Sequence, residues 1–464
     1  MPPRHDVDPV PGLLAHATEA LQDQFAALPE FTPAHPSATD TDAMLRVLEQ
    51  AARRLGNNYP YFHPLYAGQM LKPPHPVARA AYALAMTLNP NNHALDGGRA
   101  SSAMEIEAVA HIAAMFGWPH PFLGHLTSSG TVANLEALWV AGRLAPGRRI
   151  LASEQAHYTH QRISGVLQLP FAAVPADHAG RLRLDALEDE LRKGDVGTVV
   201  VTLGTTAIGA VDPLPQILEL RSRYGFRIHV DAAYGGYFRL IPEALEDPAR
   251  RAFALLDQVD SLVVDPHKHG LQPYGCGCVL FRDPAIGRLY KHDSPYTYFS
   301  SKELHLGEIS LECSRAGAAA VALWATHQLL PLVPGGEFAQ GLALGRAAAL
   351  ELDRRLRADA RIEPLAAGPP ELDIVVWKLA AANPNEASRQ AQSLFLACAA
   401  RDLHLALVQL PLSWFHSAEG VLPVQTGYVT CMRSVLMKPE HKDWLNTMWD
   451  KWIAACAEVV GGLS

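Results

Sequence analysis

The pattern of apolar and polar positions divides the chain into parts with different periodicities. Residues 1–75 combine short helical patterns with proline-rich breaks, and residues 77–118 show helical periodicity that is interrupted near Asn89. Beyond them, short apolar runs typical of strands alternate with helical segments, which predicts a largely parallel sheet covered by helices on both faces. After Leu330 a Gly-Gly pair precedes a long helical pattern, and one strand pattern and two further helices follow.

These patterns predict individual elements in the central and C-terminal parts. The expected strands are 149–152, 197–203, 227–230, 261–264, 277–281 and 373–379. The clearest expected helices are 131–144, 184–192, 214–224, 338–357 and 441–459. Because 464 residues are too many for one compact core, we expect an N-terminal helical and extended segment (1–75), a large α/β domain (76–330) and a smaller C-terminal α+β domain (331–464).

Composition and charge exclude several classes of protein. A hydrophobic fraction of 49% and a net charge of -8, with acidic and basic residues interleaved, are ordinary for a globular protein and give no basic surface for nucleic acid. The longest apolar runs are shorter than the roughly 20 residues needed to cross a bilayer, and the N-terminus carries no signal-peptide pattern. Six scattered cysteines without a CxxC pair favour free thiols. We therefore expect a cytoplasmic protein without a membrane or nucleic-acid partner.

The most informative candidate for chemistry is a lysine at the end of an apolar run. The run 262–264 is followed by Asp265-Pro266-His267-Lys268-His269, which reads as a strand that ends in a turn. Burial and nearby positive charge disfavour an ammonium group, and a neutral lysine amine forms Schiff bases with carbonyls. The alternative is that Lys268 lies in an ordinary surface turn, and other parts of the chain argue against it.

A second candidate is the segment that leads into the expected helix at residue 131. Ser128, Ser129 and Thr131 surround Gly130 there, so hydroxyl groups and free backbone N–H groups would meet at a helix N-terminus and could bind an anion such as a phosphate. The alternative is a plain Ser or Thr helix cap. No Gly-Lys-Ser/Thr sequence follows, so the segment is not a P-loop.

Three further candidates follow other expected strands. Asp231 ends an apolar strand, where ligands of open α/β sheets bind, and a carboxylate there could keep a pyridine nitrogen protonated. It could equally cap the next helix. His157 could stack on a flat cofactor or simply be a partly buried histidine, and Thr206 could line the same crevice or lie in a polar loop.

Taken together and in order, these segments resemble the group II pyridoxal-phosphate-dependent amino acid decarboxylases. The resemblance covers roughly residues 60–460 and implies the aspartate-aminotransferase-like fold type I, with a mainly parallel seven-stranded sheet and a smaller C-terminal domain. The motifs that carry it are Thr127-Ser128-Ser129-Gly130-Thr131-x-x-Asn134, Ser153-x-x-x-His157, Gly204-Thr205-Thr206, His229-Val230-Asp231-Ala232-Ala233 and Asp265-Pro266-His267-Lys268.

The resemblance also implies roles for individual residues. Lys268 would bind pyridoxal 5'-phosphate covalently, Asp231 would pair with its ring nitrogen, and His157 would stack on its ring. Ala233 would pack on the opposite ring face. The remaining residues that would hold the cofactor are Ser128, Ser129, Thr206 and His267.

Looser parts of the resemblance concern the substrate and the partner subunit. His63 and Asn92 lie in segments that resemble the substrate side, and Arg433 would meet the substrate carboxylate or else be a surface charge. Ser314 lies in a segment that reaches the cofactor phosphate of a second subunit in related enzymes, which implies a homodimer with shared sites. A loop tyrosine, Tyr296 or Tyr298, would return the proton after decarboxylation.

The sequence therefore predicts an enzyme that decarboxylates an L-amino acid to an amine, with a tyrosine-like aromatic substrate as one candidate and no metal. The nearest alternative is carbon–carbon lysis or aldehyde formation with the same cofactor. A second alternative is a metal hydrolase that uses His229, His267 and His269. The third is a non-catalytic protein that has kept the fold.

Overall fold

The fold is taken from a computed structural model that describes residues 8–31, 40–93, 96–118, 120–291, 310–365, 367–415 and 427–461. Helices make up the N-terminal part. Asp40 caps the second of them by accepting a hydrogen bond from Ala43 N–H at 2.8 Å. No residue of the first two helices is buried. The N-terminal helices are α1 (Val10–Asp23), α2 (Thr41–Leu55), α3 (Pro76–Met86) and α4 (Arg99–Met115).

The central part is a seven-stranded sheet, which confirms the predicted fold class. Its strand order is β1-β7-β6-β5-β4-β2-β3. Only β7 is antiparallel to its neighbours β1 and β6, and the other neighbouring pairs are parallel. The strands are β1 (Leu123–Thr127), β2 (Arg149–Ser153), β3 (Phe171–Val174), β4 (Val196–Thr202), β5 (Arg227–Asp231), β6 (Ser261–Val264) and β7 (Gly277–Phe281).

Helices cover this sheet, as expected for parallel strands that are buried on both faces. Every residue of β4 is buried, and the largest core cluster combines β4 and β5 with apolar residues of the flanking helices, among them Ile112, Ile217 and Leu323. The helices of this part are α5 (Gly130–Leu144), α6 (Thr159–Val166), α7 (Leu184–Leu191), α8 (Leu214–Tyr224), α9 (Asp247–Ala254), α10 (Gly287–Tyr290) and α11 (Gly317–Leu329).

A second, antiparallel sheet follows in the order β10-β11-β9-β8. Its core contains Trp377 and Met432, and it also includes Leu65 and Ala67 from the segment expected to be N-terminal. The boundary at residue 75 stays a prediction, although these two residues pack with the second core. The elements are α12 (Glu337–Arg357), β8 (Ile362–Pro364), β9 (Ile374–Leu379), α13 (Pro384–Ala399), β10 (Ala406–Pro411), β11 (Tyr428–Val435) and α14 (His441–Gly461).

The parallel strands bring their carboxyl ends to one edge of the large sheet. In the register of β4 and β5, Thr202 lies beside Asp231, and Asp231 lies beside Val263 of β6. The connection from β6 to its antiparallel neighbour β7 contains Lys268. Within the described ranges, no helix is both long and apolar enough to cross a lipid bilayer.

Candidate active site

A cleft of about 190 Å³ opens at this edge of the sheet. Its walls come from the start of α5, the segments that follow β2, β4 and β5, and the turn after β6. The fold therefore brings five distant parts of the sequence together. The residues that line the cleft are Ser129, Gly130, Thr131, Asn134, His157, Thr159, Thr202, Gly204, Thr206, Asp231, Ala233, Tyr234, Asp265, His267 and Lys268.

Lys268 points into the cleft beside a buried carboxylate. Its Nζ lies 3.1 Å from Oδ2 of Asp265, and Nε2 of His267 lies 3.5 Å from the same oxygen. Asp265 is 2% exposed, and its other oxygen, Oδ1, has no hydrogen-bond partner in the part of the chain that the structure describes. This arrangement places the primary amine of Lys268 at the wall of the cleft, next to the Asp265 carboxylate, whose Oδ1 is available to accept a hydrogen bond.

Asp231 is buried and faces the cleft from the end of β5. Its Oδ2 lies 2.8 Å from Nε2 of His160 and 3.5 Å from Nδ2 of Asn134. Its Oδ1 accepts a hydrogen bond from Ala233 N–H at 3.1 Å. Burial opposes ionisation of this carboxyl, but the hydrogen bond and charge of His160 and the charge of Lys268 dominate and hold its pKa well below the usual range. The group is therefore an anion at neutral pH.

Two side chains orient Asp231: His160, which the sequence did not single out, and Asn134, which the sequence placed in a motif without a role of its own. His160 lies three residues after His157 on the first turn of α6, and that spacing is the sequence signal for its placement. Asn134 is fixed from behind, because its Oδ1 lies 2.8 Å from Nε2 of His229. His229 in turn contacts Ser261 Oγ at 2.9 Å through Nδ1, and burial lowers the pKa of His229 to about 3.

His157 presents a neutral, flat ring to the cleft. Its Nδ1 lies 2.8 Å from the hydroxyl of Thr159, which fixes the orientation of the ring. Burial is the main reason that the pKa of His157 is lowered, although the charge of Asp231 acts in the opposite direction. A neutral imidazole can stack on a flat aromatic ring, and it does not repel a positive charge carried by that ring.

The start of α5 contributes Ser129, Gly130 and Thr131 to the cleft lining. Ser129 caps the helix by accepting a hydrogen bond from Val132 N–H at 3.3 Å, so the alternative of a simple cap holds for its side chain even though Ser129 also lines the cleft. Ser128 is exposed, and its N–H donates to Glu312 Oε2 at 2.9 Å. A Cβ at Gly130 would lie 2.5 Å from Asp265 Oδ2, so only glycine permits this approach.

Arg433 of β11 closes the cleft region from the second sheet. Its guanidinium donates to the carbonyl oxygens of Thr206, Ala207 and Gly68 at 2.8, 3.0 and 3.3 Å. Arg433 is 4% exposed, so the interpretation of this residue as a surface charge is wrong. Its contact with a substrate carboxylate stays a prediction, whereas its role in holding the segment after β4 is visible.

Several candidate residues lie away from the cleft lining. His63 accepts a hydrogen bond from Leu65 N–H and packs against Trp444. Asn92 is 1% exposed, and its amide contacts Glu105 and Ser101, so it would have to give up these bonds to reach a substrate. Ser314 is exposed and accepts from Asn91 at 3.2 Å. Tyr296 and Tyr298 lie outside the described residues.

The three histidines of the metal-hydrolase alternative face different partners. His229 contacts Asn134 and Ser261, His267 packs against Tyr274, and His269 packs against Tyr234 and Phe238. Among the described residues, no three His, Cys, Asp or Glu side chains form a group that could hold a metal ion.

Comparison with known proteins shows the family. A family model described as the pyridoxal-dependent decarboxylase conserved domain matches residues 42–331, and the chain belongs to this family. It is 28% identical to an L-tyrosine decarboxylase of Enterococcus faecium, over 63% of this chain and 64% of that protein. It is also 28% identical to a probable L-tyrosine/L-aspartate decarboxylase of Methanothermobacter thermautotrophicus, over 70% of this chain and 86% of that protein.

A solved structure agrees with the fold. Oryza sativa TDC, whose crystal structure contains PLP and tryptamine, superposes with a TM-score of 0.77 and 18% identity over 98% of this chain and 99% of that chain. Pyridoxal phosphate is thus the cofactor that family membership assigns, and the cleft fits it. The fit rests on the Lys268 amine, the ionised Asp231, the neutral His157 ring and the close approach at Gly130.

Proposed function

We propose that this chain is a pyridoxal-phosphate-dependent decarboxylase that converts an L-amino acid to the corresponding amine and carbon dioxide. The observation that carries the proposal is the placement of Lys268 and the anionic Asp231 in one cleft, at the ends of neighbouring strands. When bound, the cofactor supplies an electron sink for the pair of electrons that the departing carboxylate leaves behind. The protein supplies binding, orientation and fixed charge.

The residues of the cleft divide this work. Lys268 binds the cofactor through its amine, and the Asp265 carboxylate at 3.1 Å orients that amine. Asp231 stays ionised and stabilises a protonated ring nitrogen, which strengthens the electron sink. His157 and Ala233 both line the cleft; His157 would pack on one face of the cofactor ring, and the small side chain of Ala233 would leave room on the other face.

The start of α5 is our proposed binding region for the cofactor phosphate. Free N–H groups at a helix N-terminus favour an anion, and Ser129, His267 and Thr206 line the same cleft. The N–H group of Ser128 is bonded to Glu312, so Ser128 can contribute only if that contact is exchanged. These assignments remain part of the proposal.

The substrate that we propose first is L-tyrosine, with L-aspartate second. Relatives named as decarboxylases of tyrosine and of tyrosine or aspartate support this order. The buried Arg433, whose guanidinium meets only main-chain carbonyls among the described residues, is the proposed partner of the substrate carboxylate. The aligned region spans 64% of the Enterococcus faecium protein, so the full activity of that relative is not assumed.

We also propose a homodimer with shared sites. The apolar side chains of Leu45, Val47 and Leu48 on α2 are exposed by 53–65%, although such residues are usually buried in a stable helix. A second copy of the chain would cover this face. The cytoplasmic location expected from the sequence stays a prediction.

The test combines one variant with a substrate panel. Purified protein mixed with pyridoxal phosphate is expected to absorb in the near-visible range, and borohydride is expected to fix the cofactor covalently to Lys268. Lys268→Ala removes that link because it removes the reacting amine. Carbon dioxide release is then measured with L-tyrosine, L-aspartate and L-glutamate, and the organic product is identified as amine or aldehyde. Fixation at another lysine would contradict the proposal, and an aldehyde product would favour the alternative outcome.

A further inference from the structure

One carboxylate of the second sheet reaches the turn that carries Lys268. Asp373 directly precedes β9 and is 1% exposed. Its Oδ1 accepts a hydrogen bond from the hydroxyl of Tyr234 at 2.5 Å, and its Oδ2 lies 3.4 Å from Nε2 of His269. Tyr234 lines the cleft, and His269 is the residue after Lys268. A single side chain thus contacts one residue of the cleft lining and lies beside the residue that follows Lys268.

His269 fills the space between Asp373 and the large-sheet core. Its ring centroid lies 4.7 Å from that of Tyr234 and 5.1 Å from that of Phe238, both in edge-on arrangements. His269 is 1% exposed, and burial holds its pKa well below the usual range, so its ring is neutral. The His269 side chain is therefore held by packing against Tyr234 and Phe238, and Lys268 is the adjacent residue.

Asp373 is surrounded by cations. The charged groups near it are Lys72, Arg346 and Arg433, and the polar groups are Tyr234 and His269. Burial raises the pKa of Asp373 to about 6, and the Tyr234 hydrogen bond and the charge of Lys72 limit that rise. At neutral pH the group is mainly ionised, so its hydrogen bond to Tyr234 is charge-assisted and stronger than one between neutral groups.

We propose that Asp373 is a positioning residue for the reactive lysine: through its hydrogen bond to Tyr234, which packs against His269, it fixes the orientation of the turn that presents Lys268 to the cofactor. The inference rests on the proposed function, since it takes Lys268 as the group that binds pyridoxal phosphate. It adds that the C-terminal sheet, which contributes Asp373, controls how readily a lysine of the large sheet reacts. Asp373 itself touches no reacting atom.

A purely structural role is the alternative, and the chain offers a matched control. Glu371 lies two residues earlier in the same segment and also joins the two parts of the protein. Its carboxylate pairs with Arg181 at 2.5 Å and accepts from Val211 N–H at 2.8 Å. Neither Glu371 nor Arg181 lines the cleft. Glu371→Gln thus weakens a comparable contact without touching the turn of Lys268.

The experiment measures the capture of pyridoxal phosphate by full-length protein freed of cofactor. The variants are Asp373→Asn, Tyr234→Phe, the double variant and Glu371→Gln. The rate of capture is followed by near-visible absorbance from pH 5 to 8, and the modified lysine is located after borohydride treatment. Thermal unfolding without cofactor is recorded in parallel. We expect Asp373→Asn and Tyr234→Phe each to slow capture about tenfold, as the loss of one charge-assisted hydrogen bond implies.

The double variant is expected to be little slower than either single variant, because both changes break one link. The wild-type rate is expected to fall as the pH drops through about 6, and this step should vanish in Asp373→Asn. Glu371→Gln is expected to unfold at a lower temperature and to capture the cofactor at the wild-type rate.

Three results would overturn the inference. They are equal capture rates in Asp373→Asn and Glu371→Gln, additive effects in the double variant, and an unchanged pH dependence in Asp373→Asn. If Asp373→Asn does not fold, Tyr234→Phe against Glu371→Gln decides the question by the same comparison. Capture at a lysine other than Lys268 would overturn the proposed function together with this inference, whereas normal capture at Lys268 in every variant would overturn this inference alone.

Discussion

The charge of Asp231, at the end of β5, depends on a histidine in α6. His160 Nε2 lies 2.8 Å from the carboxylate, and this contact helps to keep the pKa of Asp231 low despite burial. A carboxyl with a lowered folded-state pKa loses its charge, and the stability that the charge contributes, only as the pH falls below the unfolded value of about 3.9. Asp231 is therefore suited to hold a proton on a ring nitrogen at any physiological pH.

Asp231→Asn is expected to keep the cofactor bound but to lower kcat by a factor of 100 or more. Loss of one preorganised charge costs on the order of several kcal/mol of transition-state stabilisation. Steady-state kinetics and cofactor titration by absorbance measure the two effects separately. His160→Gln, which keeps a hydrogen-bond donor but not the imidazole, is the graded control. Its kcat should lie between the values of the wild type and of Asp231→Asn. Near-normal turnover in Asp231→Asn would return Asp231 to the role of a cap.

Lys268 and Asp231 could be predicted because each lies at or just after the end of a short, strongly apolar run, so the local sequence indicates its position. The spacing from His157 indicates that His160 lies near the same strand end, but the contact of His160 with Asp231 could not be predicted, because it depends on the order of β2, β4 and β5 in the sheet. Arg433 is a different case. The sequence leaves open whether Arg433 is buried. In the fold its guanidinium is buried because it donates hydrogen bonds to three carbonyl groups that lie far from it along the chain.

At the level of single elements, the N-terminus of α5 depends on one glycine. Gly130→Ala would place a Cβ 2.5 Å from the Asp265 carboxylate, so either the helix or Asp265 must shift. We expect Gly130→Ala to weaken pyridoxal phosphate binding at least tenfold, measured by titration of the near-visible absorbance. A tenfold loss of binding corresponds to about 1.4 kcal/mol, and a contact this short costs more than that.

Gly165→Ala is the matched control for this prediction. Gly165 lies in α6, and a Cβ there meets nothing within 4 Å. Alanine in a helix is favoured over glycine by roughly 0.5–1 kcal/mol, so Gly165→Ala should unfold at a slightly higher temperature and bind the cofactor normally. Equal loss of cofactor binding in both variants would exclude the Asp265 clash as the cause.

The predicted strands β2, β4, β5, β6, β7 and β9 agree with the structure to within one residue at each end. The segment from Cys431, which resembles the C-terminal strand of the family that carries an arginine, lies in β11. The pattern does not predict β1, β3, β8 and β10. β1 contains glycine and histidine in place of a continuous apolar run, and its His125 is buried because Glu136 lies 2.9 Å away. β3 has only one buried residue. Such strands owe their conformation to neighbours in the sheet rather than to their own pattern.

For the whole molecule, protonation of one buried lysine is expected to affect stability. Lys438 is 3% exposed and donates to the carbonyl of Tyr66 at 2.6 Å, and burial lowers its pKa to about 7. Because the unfolded chain binds this proton up to a pH near 10.4, the unfolded state holds more protons between pH 7 and 10. This lysine therefore makes the protein more stable as the pH rises through that range.

The check compares urea unfolding of wild type and Lys438→Met from pH 7 to 10. The difference between the two proteins isolates the lysine, because buried cysteines, whose pKa values are raised, act in the opposite direction in both. The wild type should gain up to about 1.4 kcal/mol per pH unit relative to Lys438→Met. Parallel curves would show that Lys438 keeps its proton in the fold.

The proposed dimer is tested by mixing inactive variants. Lys268→Ala lacks the cofactor-binding amine, and the combination Tyr296→Phe with Tyr298→Phe lacks the proposed proton donors. If the loop acts across the subunit boundary, a mixed dimer has one site with both functions, and amine formation appears after subunit exchange. Full activity of the double tyrosine variant would exclude both tyrosines as the proton donor. Recovery without subunit exchange would contradict shared sites.

The position of β1 at the edge of the large sheet has a consequence for synthesis on the ribosome. Among the strands that the structure describes, its one neighbour in that sheet is β7, whose residues 277–281 are translated long after residues 123–127. Pairing across such a separation forms late, because the entropy of closing the intervening chain is lost before any contact is gained. A nascent chain that already contains Asp231 and Lys268 thus still lacks the partner that anchors the start of α5. We therefore expect cofactor capture during translation to wait until β7 has emerged and paired with β1.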